Sequence, residues 1–128
     1  MSISIICTAL LGALLFGLGL YVSIQRGRLR RNIGYDTSPV DPMHCAVRAH
    51  ANTAEYAPFL AVLFLWFASR PVPTWIEITI VIATAARYLI VAGLLWGKSL
   101  DKPNPARFIG ALLTYASGLA LVVGLIRT

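Results

Sequence analysis

Arg48-Ala-His-Ala-Asn52-Thr-Ala-Glu55-Tyr56-Ala-Pro58 opens an apolar run that continues from Phe59 to Ala68. Together they read as one hydrophobic helix whose first turns carry polar groups. At roughly 100° per residue, Arg48, Asn52, Glu55 and Tyr56 fall at about 0°, 40°, −20° and 80°, a single stripe, with His50 on the other side. A cation, an amide, a carboxylate and a phenol on a membrane helix are costly unless their face is buried in protein or lines a wet cavity. The chemistry of the protein is expected on that stripe.

The rest of the chain makes the membrane reading necessary. Of 128 residues, 58% are hydrophobic and 12% charged, where soluble domains carry about 25% charged residues. Mean hydropathy is +0.75. The apolar residues form four blocks, each near the ~20 residues that cross a hydrocarbon core, with spans near 3–24, 47–68, 74–96 and 107–126. The expectation is an all-α integral membrane protein: one domain over residues 1–128, an antiparallel four-helix transmembrane bundle. The first block has no basic region ahead of it, so it is expected to be a spanning helix rather than a cleaved signal.

Charge placement orients the bundle. The formal net charge is +6. The first and third connections hold Arg26, Arg28, Arg30, Arg31, Lys98 and Lys102, with Arg48 and Arg107 at their membrane edges, whereas the other side holds only Arg70 and Arg127. The positive-inside rule places loops 25–46 and 97–106 in the cytoplasm and both termini outside. Anionic headgroups of the lipid bilayer suit these arginines. No aromatic interleaving or binding module points to nucleic acid. Cys7 and Cys45 lie too far apart along their helices to pair, and His44, Cys45 and His50 have no zinc spacing, so neither a disulfide nor a metal site is expected.

Within the helices, Ala9, Ala13 and Gly17 of the first span and Ala116, Ala120 and Gly124 of the last form small-residue stripes of the kind that let backbones approach in lipid. Asp41-Pro42 reads as a helix cap and first turn. Glu55 and Arg87 each lie about 12–13 Å from the cytoplasmic end of their helices, counted at ~1.5 Å per residue. They are expected to be partners across neighbouring helices, either cradling a ligand or fixing helix register. Glu77 is expected at the interface near Arg70. Arg107, at the membrane edge, reads on position alone as a snorkelling anchor.

The residues favour a cationic, hydrogen-bonding pocket opening from the cytoplasmic side of an apolar bundle. Arginine binds carboxylates bidentately, Glu55 suits an ammonium group and Asn52 an amide. Arg48-Ala-x-x-Asn52-x-x-Glu55-Tyr56 followed by Pro58, with Arg87 in the third helix and Arg107-x-x-Gly110-x-x-x-Thr114 opening the fourth, resembles the MAPEG family, the membrane-associated proteins in eicosanoid and glutathione metabolism, and its bacterial members in particular. The resemblance implies a homotrimer in a bacterial inner membrane that holds glutathione as co-substrate between subunits. It implies a glutathione transferase, with possible peroxidase activity, that joins the thiol to lipophilic small molecules. Arg48, Asn52, Glu55 and Tyr56 match the family's glutathione contacts, with Arg87 and Tyr88 beside them. One of Arg26, Arg28 and Arg30, carried here as Arg28, matches a contact late in the first helix. Arg107 matches the arginine that activates the thiol.

Two other readings compete. Glutathione-using members carry a histidine or threonine and then a tyrosine after the third-helix arginine, where this chain has Ile90, Val91 and Ala92. That motivates a non-catalytic lipid- or glutathione-binding protein of the same fold. A small drug exporter has a similar size but needs a charged residue within the first helix, and Ile3 to Ile24 has none.

Overall fold

The computed structural model describes residues 2–128. Four helices follow one another: α1 (Ile3–Leu29), α2 (Pro42–Ala68), α3 (Thr74–Trp96) and α4 (Pro105–Arg127). Each boundary has a local cause. Ser2 caps α1, its hydroxyl accepting from the Ile5 N–H. Arg30 ends that helix in the left-handed region at φ 51°, and its N–H closes on Arg26 and Gly27. Asp41 caps α2 ahead of Pro42, and Asn104 caps α4 ahead of Pro105. A proline in the first turn loses nothing, because its missing N–H would have no helical partner there.

α1, α3 and α4 are long and apolar enough to cross a membrane. α2 has the same length as α1, at 27 residues, but its polar stripe dilutes its apolar content. The chain is an all-α membrane bundle. α1 packs most extensively on α2, and α3 on α4; α3 also touches α1 and α2, whereas α2 and α4 barely meet. This uneven packing leaves a cleft between α2 and α4 with α3 as its floor.

Toward the α2–α3 turn the core is large and apolar, built around Leu11, Leu63, Phe64, Phe67, Ile76, Ile80 and Leu121. Toward the opposite end it thins to Leu18, Ala49, Ile90, Val91 and Leu94. The packed faces differ from the expected small-residue stripes. α4 buries Gly110, Thr114, Ser117, Leu121 and Gly124, leaving Ala116 exposed and Ala120 half-buried. α1 buries Ser4, Cys7, Leu11, Leu18 and Gln25, and Ala9, Ala13 and Gly17 lie exposed. α1 packs through Ser4, Cys7, Leu11 and Leu18 instead, whereas α4 keeps Gly124 of its expected stripe in the packed face and adds Gly110, Thr114 and Ser117. Arg70 also departs from expectation: its guanidinium lies 3.7 Å from the centre of the Trp66 ring. Among the described residues Arg70 has no ion pair with Glu77.

The connections at the basic end are tied down. Arg31 Nη1 lies 2.8 Å from Asp41 Oδ1, while Asp41 Oδ2 accepts the His44 N–H at 2.9 Å. Arg26 donates to the carbonyls of Arg31 and Gly34, and the Leu100 N–H reaches the Pro39 carbonyl at 2.9 Å. Desolvation pushes the Asp41 carboxyl up, but the His44 N–H and the Arg31 charge outweigh it and hold the group below its ordinary value. A carboxyl depressed in the folded state contributes stability above its unfolded value, near 3.9. That contribution is lost as pH falls through the folded value. Asp41→Ala is therefore expected to cost about 1 kcal/mol at neutral pH, as for other lost caps. Thermal melts of wild type and variant should converge under acid; a constant difference at all pH values would contradict the assignment.

Candidate functional site

The cleft between α2 and α4 is a cavity of about 600 Å³. One wall comes from α2: His44, Arg48, Asn52 and Tyr56, every fourth residue, a row about 18 Å long at 1.5 Å rise per residue. Arg87, Ile90 and Leu94 of α3 form the floor; Arg107, Phe108, Ala111 and Tyr115 of α4 form the other wall. Leu100 to Asn104 close the mouth. The lining holds Arg48, Arg87, Arg107 and Lys102 against a single carboxylate, Asp101.

Arg87 is 1% exposed. Its Nη2 donates to the Asn52 carbonyl at 2.9 Å and to Asn52 Oδ1 at 2.6 Å. Its guanidinium carbon sits 4.9 Å from the centre of the Tyr56 ring. Its Nε is buried with no hydrogen-bond partner. A buried guanidinium without a carboxylate is a desolvated charge that only neutral dipoles and an aromatic face offset. Among the described residues no carboxylate lies within ion-pair distance of it, and the group borders an open cavity.

At the other end, Arg107 is held by two hydrogen bonds. Its backbone N–H donates to Asn104 Oδ1 at 3.2 Å, and Nη1 donates to the Leu100 carbonyl at 2.8 Å. Asn104 in turn donates to the Gly93 carbonyl at 3.4 Å. Gly93 lets α4 start this close: a Cβ there would lie 2.7 Å from Arg107 Cγ and 2.9 Å from its backbone nitrogen.

Of the residues singled out from sequence, Arg48, Asn52, Tyr56, Arg87 and Arg107 share this cavity, whereas Glu55, Tyr88 and Arg28 do not line it. Glu55 is exposed and forms no ion pair with Arg87 among the described residues, which corrects the expected pairing. Equal depth did not bring the two together because Glu55 lies about 60° around α2 from Asn52, and Asn52 is the residue that α3 meets. Glu55→Gln is accordingly expected to change stability by less than about 0.5 kcal/mol; a large drop in the melting temperature would restore the pairing. Tyr88 turns to α1, its hydroxyl donating to the Leu10 carbonyl at 2.9 Å. Arg28 is exposed at the basic end of α1.

Sequence reasoning missed Tyr115 and His44. Tyr115 places its ring 6.0 Å from that of Tyr56 at 53°. Its signal was the four-residue spacing Arg107, Ala111, Tyr115, the same row that α2 displays. His44 stacks on Tyr35 with ring centres 4.9 Å apart, and its Nδ1 lies 3.0 Å from the Ser38 carbonyl oxygen.

The MAPEG family model matches residues 4–127, nearly the whole chain. The chain belongs to the MAPEG family. Comparison with curated proteins and with solved structures finds no match. MAPEG membership agrees with the four-helix membrane architecture and associates the protein, at family level, with glutathione chemistry. The MAPEG family also includes members that are not transferases.

Proposed function

We propose that the protein is a membrane glutathione transferase that acts as a homotrimer and conjugates glutathione to lipophilic electrophiles. The observation that carries this reading is Arg87: a buried cation with no carboxylate, bordering a cavity that holds three further cations. Such a cavity suits a small anion, and glutathione carries two carboxylates. Asn52 and Tyr56 flank Arg87 and complete the deep end; Arg48 and Arg107 stand toward the mouth. The apolar lining, Ile90, Leu94, Phe108 and Ala111, suits a lipophilic partner next to the thiol. By the charge rule the mouth faces the cytoplasm and the termini lie outside; the resemblance to bacterial MAPEG members implies that the membrane is a bacterial inner membrane.

Arg107 is the thiol activator in this reading. A thiol of pKa ~8.5 is only about 3% ionised at pH 7, and lowering that value by two units requires roughly 2.7 kcal/mol of preferential stabilisation of the thiolate. A guanidinium held by the Leu100 carbonyl, on a backbone that Asn104 caps, supplies charge of the right sign without reorganising. The proton leaves to solvent, the thiolate sulfur forms a bond to the electrophilic carbon, and an aryl halide loses its halide with the bonding pair. In detergent, Arg107→Ala is expected to lower kcat/KM for glutathione and an aryl halide by about a hundredfold, the scale of 2.7 kcal/mol, and to abolish the ultraviolet absorbance of bound thiolate. Turnover equal in wild type and variant would reject the role.

The absence of a phenol or imidazole at Ile90, Val91 and Ala92 favours a second reading, a non-catalytic binder of the same fold. Calorimetry separates them. Affinity for a lipid without affinity for glutathione selects the binder; glutathione affinity without turnover of any electrophile selects a sensor of the thiol.

A further inference from the structure

On the opposite side of the bundle from the cleft, α1 and α3 run parallel and leave a second, apolar groove of about 350 Å³. It exists because the facing side chains are small. Ala13 and Gly17 of α1 stand opposite Ala92 of α3, and a Cβ added at Gly17 meets nothing within 4 Å. Tyr88 closes the groove deep in the bundle, where its hydroxyl is already committed to the Leu10 carbonyl. From Tyr88 to Trp96 it runs about 12 Å at 1.5 Å rise per residue, along the membrane normal. At its basic end it shares Tyr21 and Leu95 with a pocket of about 170 Å³ that contains Lys98. The two cavities form one path, apolar within the membrane and cationic at the surface.

Two groups at the junction point to an anionic head. Lys98 is exposed and has no carboxylate partner among the described residues. Tyr21 accepts a hydrogen bond from Gln25 Nε2 at 2.8 Å, which leaves its own hydroxyl proton to donate. Trp96, 79% exposed, stands beside the groove where α3 ends, the level at which indoles anchor to headgroups. Arg28 and Arg30, both exposed at this end, add to a basic field, each cation being worth about 1 kcal/mol toward an anionic surface.

We propose that the α1–α3 groove is a binding site for one acyl chain of an anionic phospholipid, whose phosphate is held by Lys98 and the Tyr21 hydroxyl while its second chain stays in the bilayer. The groove is open along its side and of a volume that suits one chain, and Lys98 and the Tyr21 hydroxyl stand at its polar end. The site is separate from the cleft and independent of the glutathione reading.

The test uses the full chain carrying Trp66→Phe and Trp75→Phe, so that Trp96 alone fluoresces, in phosphatidylcholine nanodiscs with a minor fraction of lipid brominated on its acyl chains. Brominated phosphatidylglycerol is expected to quench Trp96 several-fold more effectively than brominated phosphatidylcholine. Lys98→Ala should remove about fivefold of that preference, the equivalent of one surface cation. Gly17→Leu should fill the groove and reduce quenching to the phosphatidylcholine level. Gly12→Leu, on the same helix and outside the groove, should leave it unchanged. Equal quenching by the two phospholipids, or wild-type quenching in Gly17→Leu, would overturn the proposal. Quenching by brominated oleate in place of phosphatidylglycerol would also overturn it in favour of a free fatty acid. If the tryptophan variant does not fold, the melting temperature of delipidated wild type decides: equal gains from the two phospholipids reject the site.

Discussion

Arg87→Met is expected to weaken glutathione binding by about 10- to 100-fold while leaving the bundle at least as thermally stable as wild type. The two effects have opposite signs because Arg87 is poorly compensated in the empty protein. Taking a guanidinium out of water costs several kcal/mol even after relaxation. Two hydrogen bonds to Asn52 and the Tyr56 ring face offset part of that cost, while Nε stays without a partner. Methionine keeps the length and apolar stem and removes the charge. The Asn52 side chain then loses a donor, but it borders the cavity, where water replaces the bond. A ligand carboxylate, by contrast, loses a charge-assisted contact worth about 1.5–3 kcal/mol. Calorimetry with glutathione and a thermal melt of the same sample measure both quantities. A large fall in melting temperature with unchanged affinity would make Arg87 a strut and remove the main support for an anion site.

Gly110→Ala is expected to destabilise the protein by about 1–3 kcal/mol, the range for overpacking a close contact, although alanine is the better helix former. A Cβ at this position would lie 2.6 Å from Ile90 Cγ1 and 3.0 Å from both the Ala86 carbonyl oxygen and the Ile90 nitrogen. Two of those three atoms are backbone and have no rotamer through which to retreat, so α3 and α4 must separate. Since Arg87 and Ile90 lie on α3 and Arg107 on α4, the cleft widens with them, and activity should fall alongside stability. Gly12→Ala supplies the contrast. Nothing lies within 4 Å of a Cβ there, so the same chemical change should stabilise α1 by roughly 0.5–1 kcal/mol. Melting temperatures that moved in the same direction for both variants would show that helix propensity, not the α3–α4 seam, governs the response.

The polar row on α2 was legible because helical period alone aligns residues four apart, and Arg48, Asn52 and Tyr56 do line one cavity. Helix ends were legible for a similar reason: Asp41-Pro42 is a local signal whose capping geometry needs no other part of the chain. The Glu55–Arg87 pair was not. Counting residues at a fixed rise gives depth in the membrane, and both residues were placed at matching depth, yet contact also requires that two helices turn the correct faces toward each other. Tyr115 illustrates the converse: unremarkable within α4, it enters the site only because α4 leans on α3 and not on α2. The small-residue stripe of α1 failed in the same way: Ala9, Ala13 and Gly17 repeat correctly along the helix but stay exposed, and Ala13 and Gly17 border an open groove toward α3 rather than a close contact.

Sequence alone therefore determined what acts along or around a single helix axis: the membrane class, the Asp41 cap and the alignment of the α2 row. The tertiary structure decided the rotation of each helix against its neighbours, and with it that Arg87 meets an amide rather than a carboxylate. That rotation depends on side chains from separate helices interlocking, down to the missing Cβ atoms of Gly93 and Gly110. No periodicity within one helix encodes it.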